Sequence, residues 1–352
     1  MLAIPTTAES ITASWLSEVL NMPVASCEVS DSNSGTTGRA VLTLKYDVSG
    51  SGPSRLFVKL PPTDDQQKAF VQATGMGKRE VQFYQALSGE VPVRVPKCYY
   101  SASDASGDNY IMLLEHLEDS GCSFRALSQQ YSLAYVRAVL AAFAQLHAKY
   151  WQSPLFITTL SWVEPPLQYD FTKTLVSRAL EQHSATMPPV FTAMGELYMA
   201  HTDQVHRLWN EGTPTFIHGD VHDGNMFLDG EHPGFLDWAL LAKGPGMRDV
   251  GYFLAGALSD FDQKSHSREL LSYYRDELSR HGVAAPPLEE LWRQYQWHAA
   301  YVWVGAAVTL SMGDAWQPVD YVSATLERLH LALEELGSVA ALRTAIDQQV
   351  QL

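Results

Sequence analysis

The chain has 352 residues, of which 46% are hydrophobic and 18% charged, a globular composition far from that of disordered chains. At about 150 residues per domain, that length suggests two domains or lobes. With 24 Lys and Arg against 39 Asp and Glu, the net charge is −15, which argues against a nucleic-acid backbone or an anionic membrane surface as partner. It leaves open a small anion held by local groups and a metal.

The elements follow in chain order. Residues 11–20 read as a short helix with Trp15, Leu16, Val19 and Leu20 on one stripe. Residues 41–46 and 55–60 read as strands around a loop at 50–53, and Pro61-Pro62 stops the second. A helix is expected over 78–87, then a hairpin of 99–102 with 110–114 around Ser106-Gly107-Asp108. Beyond about residue 120 the pattern becomes helical. Leu133, Val136, Leu140, Phe143, His147 and Tyr150 keep the 3.6 period over 133–151. Further helices are expected near 170–185, 190–210, 248–259, 265–281, 288–312 and 318–336, interrupted by a β-like stretch over 215–238. Positions 294–313 lack Asp, Glu, Lys and Arg, but Gln294, Gln296 and His298 break the apolar run, which falls short of the about 20 residues a membrane span needs. Cys27, Cys98 and Cys122 form no CxxC pair, and the first basic residue is Arg39, so a cytoplasmic, reducing location is expected, without a signal peptide. The whole reads as α+β, a small β-rich lobe over 1–117 and a larger, mainly helical lobe over 118–352, joined near 115–121.

The most specific segment is His218-Gly219-Asp220-Val221-His222-Asp223-Gly224-Asn225, followed after a short hairpin by Phe235-Leu236-Asp237-Trp238. Phosphoryl transfer needs a carboxylate to orient or deprotonate the acceptor and oxygen ligands for Mg²⁺ on the phosphates. Asp220 with Asn225 supplies a base and a metal ligand from one loop, and Asp237 supplies the other ligand; Mg²⁺ suits so sparse a set. Asp220-Val221-His222 also reads as the Asp-x-His of a metallophosphoesterase, but the further Asp, Asn and His ligands of a two-metal cluster are missing. His222 either lines the acceptor side of the loop or faces solvent. Lys59 is the only basic residue inside a clearly apolar strand. Alone it reads as a snorkelling lysine; beside Asp220 and Asp237 it reads as a cation for the α- and β-phosphates of ATP, with Glu80 fixing its rotamer. Ser34, Gly35, Thr36 and Gly38 lie in a Ser/Gly/Thr loop between two predicted strands, where backbone N–H groups can approach phosphate, though no full G-x-G-x-x-G is present.

His-Gly-Asp-x-x-x-x-Asn followed by an apolar-Asp segment resembles the aminoglycoside phosphotransferase and choline kinase superfamily. Residues 46–84, with Phe57-Val58-Lys59-Leu60-Pro61-Pro62 and Arg79-Glu80-Val81-Gln82-Phe83-Tyr84, look like its ecdysteroid-kinase-like branch. The resemblance runs from about residue 10 to about residue 330 and implies a protein-kinase-like bilobal fold. It makes Asp220 the catalytic Asp, Asn225 and Asp237 the Mg²⁺ ligands, and Glu115 and Leu117 the backbone contacts to adenine. It gives His218 and Asp249 scaffold roles, with His218 holding the loop toward the Asp237 segment.

The function expected is an ATP- and Mg²⁺-dependent small-molecule kinase acting on a hydroxyl, with no nucleic-acid or membrane partner. Aromatic residues between Trp292 and Trp316, and Trp162, Tyr169 and Phe171, favour a bulky, largely apolar alcohol or pack the core. The acidic charge leaves an amino alcohol or aminoglycoside open. A non-catalytic nucleotide-binding module is the rival outside the enzyme class.

Overall fold

A computed structural model of the chain describes residues 2–34, 37–48, 50, 52–125, 130–258, 260–314 and 316–350, apart from the side chains of 33, 34, 260–264 and 350. In chain order the elements are α1 (Ala13–Leu20), β1 (Val24–Ser34), β2 (Gly38–Tyr46), β3 (Arg55–Leu60), α2 (Asp65–Thr74), α3 (Met76–Ala86), β4 (Cys98–Ser103) and β5 (Tyr110–Glu115). Then follow α4 (Leu133–Lys149), α5 (Asp170–His183), α6 (Pro189–Trp209), β6 (Pro214–Ile217), β7 (Met226–Asp229), β8 (His232–Phe235), β9 (Ala242–Pro245) and α7 (Met247–Ala257). The last four are α8 (Asp260–Arg280), α9 (Leu288–Met312), α10 (Val319–Leu336) and α11 (Ser338–Val350). They fall into two compact units, one of Met1–Arg125 with Asn225–Leu240, the other of Ala126–Gly224 with Leu241–Leu352.

The first unit is built on an antiparallel five-stranded sheet in the order β1-β2-β3-β5-β4. Successive strand residues point to opposite faces. On one face Leu42, Leu44, Leu56, Val58, Leu60, Ile111 and Leu113 are buried with Leu16 and Leu20 of α1. Each fully buried aliphatic side chain there contributes roughly 1.5–3 kcal/mol. Thr12 caps α1 by accepting the Trp15 N–H. The opposite face carries Lys59 and Tyr110 and is covered by α3. Gly77 makes that approach possible, since a Cβ there would lie 2.1 Å from the Tyr110 ring. The β7–β8 hairpin belongs to the same unit, pairing Met226 with Phe235.

The second unit is helical, with the two-stranded β6–β9 ribbon pairing Ile217 with Ala242. Its core includes Leu140, Phe143, Tyr198, Phe216, Val250, Leu254, Tyr295 and Trp303. Ser132 caps α4 by accepting the Tyr135 N–H. No helix among the described residues is long and apolar enough to cross a membrane.

The α+β class is as expected, and β3 begins and ends where its pattern does. Four elements are additional: β1, α2, β9 and α11. Ser34, expected in a loop, ends β1, paired with Gly38 of β2. Gly35 and Thr36 lie outside the described residues.

Candidate active site

In the first unit a buried cation sits between two carboxylates. Lys59 Nζ lies 2.5 Å from Glu80 Oε2 and 3.1 Å from Asp237 Oδ1; Lys59 is 4% exposed and Glu80 not at all. β3 supplies the lysine and α3 the glutamate. Arg39, directly across from Lys59 in the β2–β3 register, brings a second cation to 4.0 Å from Asp237 Oδ2. Burial pushes the Glu80 carboxyl above its ordinary range; Lys59 opposes this, and the Asp237 charge adds to it. Such a buried pair is weak evidence for stability, because desolvating both charges offsets their attraction.

Asp237 owes its position to the chain around it. Its φ is +62°, left-handed backbone that Asp tolerates better than most residues. The next residue, Trp238, stacks on Phe83 of α3 at 4.3 Å between ring centres, and Arg79 donates to the Ala239 carbonyl at 2.7 Å. One helix therefore holds both Glu80 and the segment bearing Asp237. The β7–β8 hairpin closes directly behind Asn225, whose carbonyl accepts the Leu236 N–H at 3.0 Å. Asn225, 6% exposed, and Asp237 thus flank the base of one hairpin.

The end of β5 is fixed by Arg94. Its guanidinium takes both oxygens of Glu115, at 2.9 and 2.7 Å, and its Nε donates to Asp229 of β7 at 2.7 Å. Burial raises the Glu115 carboxyl, but Arg94 and the Lys97 N–H outweigh it and hold it below the usual glutamate range. The Glu115 N–H donates to the Lys97 carbonyl at 2.8 Å, so that donor is already taken. Leu117 opens a 3-10 turn, Leu117–Ser120, where a first-turn N–H has no acceptor within the helix. Gly38 has a packing reason to lack a side chain, since a Cβ would meet the Pro61 carbonyl at 2.6 Å.

In the second unit, Asp249 of α7 holds the loop that carries Asp220. Its Oδ2 accepts the His218 N–H at 2.7 Å and its Oδ1 the Gly219 N–H at 2.8 Å. Behind it, His147 Nε2 lies 3.3 Å from Oδ2, and His147 Nδ1 lies 2.8 Å from the Tyr274 hydroxyl. His218, His147 and Asp249 are fully buried. Gly219 turns the chain at φ +86°. His218 Nδ1 accepts the Asp220 N–H at 3.3 Å. The Tyr252 hydroxyl donates to Asp220 Oδ1 at 3.0 Å, and His222 Nε2 lies 3.6 Å from Oδ2. Asp223 accepts from the Tyr131 hydroxyl. Tyr301 donates to the Gly219 carbonyl at 3.3 Å, and Arg248 lies over its ring at 4.0 Å.

Sequence reasoning missed Arg39, Arg94 and Tyr252. Arg39 needed the β2–β3 register and Tyr252 the phase of α7; no local motif carries either. Of the aromatic run in α9, Tyr295, Trp297 and Trp303 are core residues. Tyr301 of that run donates to the Gly219 carbonyl.

Residues 39–298 match the model of the phosphotransferase enzyme family, and the chain belongs to that family. No curated protein matches it. Among solved structures it is similar to the GDP complex of wild-type aminoglycoside 2'-phosphotransferase-IIIa, at 15% identity and TM-score 0.53 over 92% of this chain and 96% of that one. It is also similar to the GDP and kanamycin complex of APH(2'')-IIIa, at 15% identity and TM-score 0.52 over 89% and 95%. A third is the choline kinase LicA from Streptococcus pneumoniae, at 13% identity and TM-score 0.52 over 92% and 97%. At these identities the likeness speaks for the fold, which is protein-kinase-like. The chain is a phosphotransferase by family.

Proposed function

We propose that the chain is an ATP- and Mg²⁺-dependent small-molecule kinase, transferring the γ-phosphate to a hydroxyl. The observation that carries this reading is Lys59, buried between Glu80 and Asp237. Lys59 would take the α- and β-phosphates with Glu80 fixing its rotamer, backbone N–H groups within 34–38 would help hold them, and the Glu115 and Leu117 backbone would meet adenine. Residues 1–117 would thus handle the nucleotide.

Asn225 and Asp237 offer an amide and a carboxylate oxygen at one hairpin base, the hard donors Mg²⁺ takes together with phosphate and water. Among the described residues no three His, Cys, Asp or Glu converge as a metal cage, and an ion shared with a triphosphate needs none. When bound, the metal neutralises charge on the phosphate oxygens. Asp220 orients the acceptor hydroxyl and receives its proton as the oxygen bonds to the γ-phosphorus. The bond from that phosphorus to the β–γ bridging oxygen breaks, and ADP leaves.

Two acceptor classes divide the reading. The ecdysteroid-kinase-like resemblance and Tyr301 beside the loop favour a bulky, largely apolar alcohol. The −15 charge, and kanamycin and choline in the names of similar structures, favour a cationic amino alcohol or aminoglycoside. ADP release from Mg²⁺-ATP with pooled alcohols, steroids, amino alcohols and aminoglycosides tests both, with Asp220→Asn as control. A signal in one pool that the control lacks supports the kinase, and the KM of that acceptor should rise with salt only if it is cationic. Nucleotide binding without turnover in any pool would instead favour a non-catalytic module, and no nucleotide binding at all would overturn the reading.

A further inference from the structure

The face of α7 that holds the backbone of residues 218–219 also holds the Asp220 side chain. Asp249 and Tyr252 stand three residues apart, hence on one helix face. Asp249 takes two backbone N–H groups of the loop, and the Tyr252 hydroxyl takes Asp220 Oδ1 at 3.0 Å. Next to them Tyr301 of α9 holds the Gly219 carbonyl, with its ring edge-on to that of Tyr252 at 6.0 Å between centres and the Arg248 guanidinium 4.0 Å over its ring. A carboxylate on a loop rotates freely about its last side-chain bond, whose torsional preference is broad. A donor fixed on a helix removes that freedom.

We infer that Tyr252 is a positioning residue of the transfer reaction: its hydroxyl fixes the plane of the Asp220 carboxylate, and Tyr301, steadied by Arg248, fixes the adjoining peptide. The inference rests on the reading of Asp220 as the group that meets the acceptor. Burial and the Asp220 charge hold the Tyr252 phenol well above its ordinary pKa, so it stays protonated and remains a donor across the physiological range. A misplacement of about 1 Å at a reacting group can cost on the order of 100-fold in rate. Loss of a single oriented hydrogen bond should fall between that and about tenfold.

Tyr252→Phe removes one oxygen and keeps the ring. ADP release from Mg²⁺-ATP is measured for the wild type, Tyr252→Phe, Tyr301→Phe, Asp220→Asn and the Tyr252→Phe/Asp220→Asn pair, with water and with the acceptor pools. The expected result is kcat lower by about 10- to 100-fold in Tyr252→Phe with the KM for ATP within about twofold of wild type, and a smaller loss in Tyr301→Phe. The paired variant should be no slower than Asp220→Asn alone, because the tyrosine acts only through that carboxylate. Wild-type kcat in Tyr252→Phe, or losses that multiply in the pair, would overturn the inference. If the wild type itself releases no ADP, the kinase reading fails first. Crystal structures of wild type and Tyr252→Phe with a non-hydrolysable ATP analogue then decide the positioning role: a rotated or split Asp220 carboxylate in the variant is expected, and an unchanged plane overturns it.

Discussion

The two halves of the candidate machinery are held by different physics. In the first unit, Lys59, Glu80 and Asp237 are bound by charge in a buried setting, with Arg39 as a second cation. In the second, the Asp220 carboxylate accepts from the Tyr252 hydroxyl, and its backbone is held by hydrogen bonds: the His218 ring accepts the Asp220 N–H, Asp249 accepts the N–H groups of His218 and Gly219, and Tyr301 donates to the Gly219 carbonyl. A buried ion pair tolerates no loss of one partner, whereas a hydrogen-bonded carboxylate can lose one donor and keep its place in part. The ionic half suits a role in which a polyanion arrives and shares the charges. The neutral half suits a group that must aim rather than bind.

The largest expected effect tests the aiming half. Asp220→Asn should lower turnover by about 10²- to 10⁴-fold and leave the nucleotide Kd near wild type, read by ADP release and calorimetry. A matching loss of nucleotide affinity would blur the division between the halves. Next in size is the ionic half. Lys59→Met alone should destabilise by about 3–5 kcal/mol in denaturant unfolding, because it leaves the fully buried Glu80 without its cation. Lys59→Met with Glu80→Leu should recover most of that stability while nucleotide binding stays lost. Asp249→Ala comes third. It leaves two buried N–H groups without their acceptor, at roughly 1–3 kcal/mol each, and should lower Tm and turnover together.

A last effect is spread over pH and does not touch either half directly. Burial, with Arg248 nearby, lowers the His206 pKa to about 4, and burial alone lowers that of His330 to about 4. Between there and the ordinary value near 6.5 the unfolded chain binds more protons than the folded one. This contribution is therefore complete above about 6.5 and is lost as pH falls toward 4, by up to about 1.4 kcal/mol per pH unit for each histidine. Denaturant midpoints between pH 7 and 4 should fall less steeply in a His206→Gln/His330→Gln variant; equal slopes would remove these two rings from the acid limb.

What the sequence made legible follows from where each signal resides. Asp220, Asn225 and Asp237 stand within one loop and one hairpin, so their spacing is local and readable. Strand β3 was readable because its β-formers end at Pro61-Pro62. Strand β1 was not: it is an edge strand, largely exposed, whose ladder bonds to β2 are made by backbone and demand little of side chains. Helix α2 is polar over most of its turns and is marked chiefly by its cap, where Asp64 accepts the Gln66 and Gln67 N–H groups. Arg39 stands beside Lys59 only because of the register set across the 47–54 connection, and Arg94 reaches Asp229 across a long stretch of chain. Contacts of that kind depend on tertiary pairing, which periodicity does not encode.

The backbone at Asp237 bears on how this protein would respond to engineering for heat resistance. A non-glycine residue at φ +62° carries strain on the order of 1 kcal/mol, and glycine would relieve it. Asp237→Gly would also relieve the burial-strained Glu80 of a neighbouring negative charge. Glycine at 237 would also take from buried Lys59 a carboxylate 3.1 Å away, a loss that opposes both gains. At this position the strain of the backbone is balanced against the ionic cluster that the side chain completes.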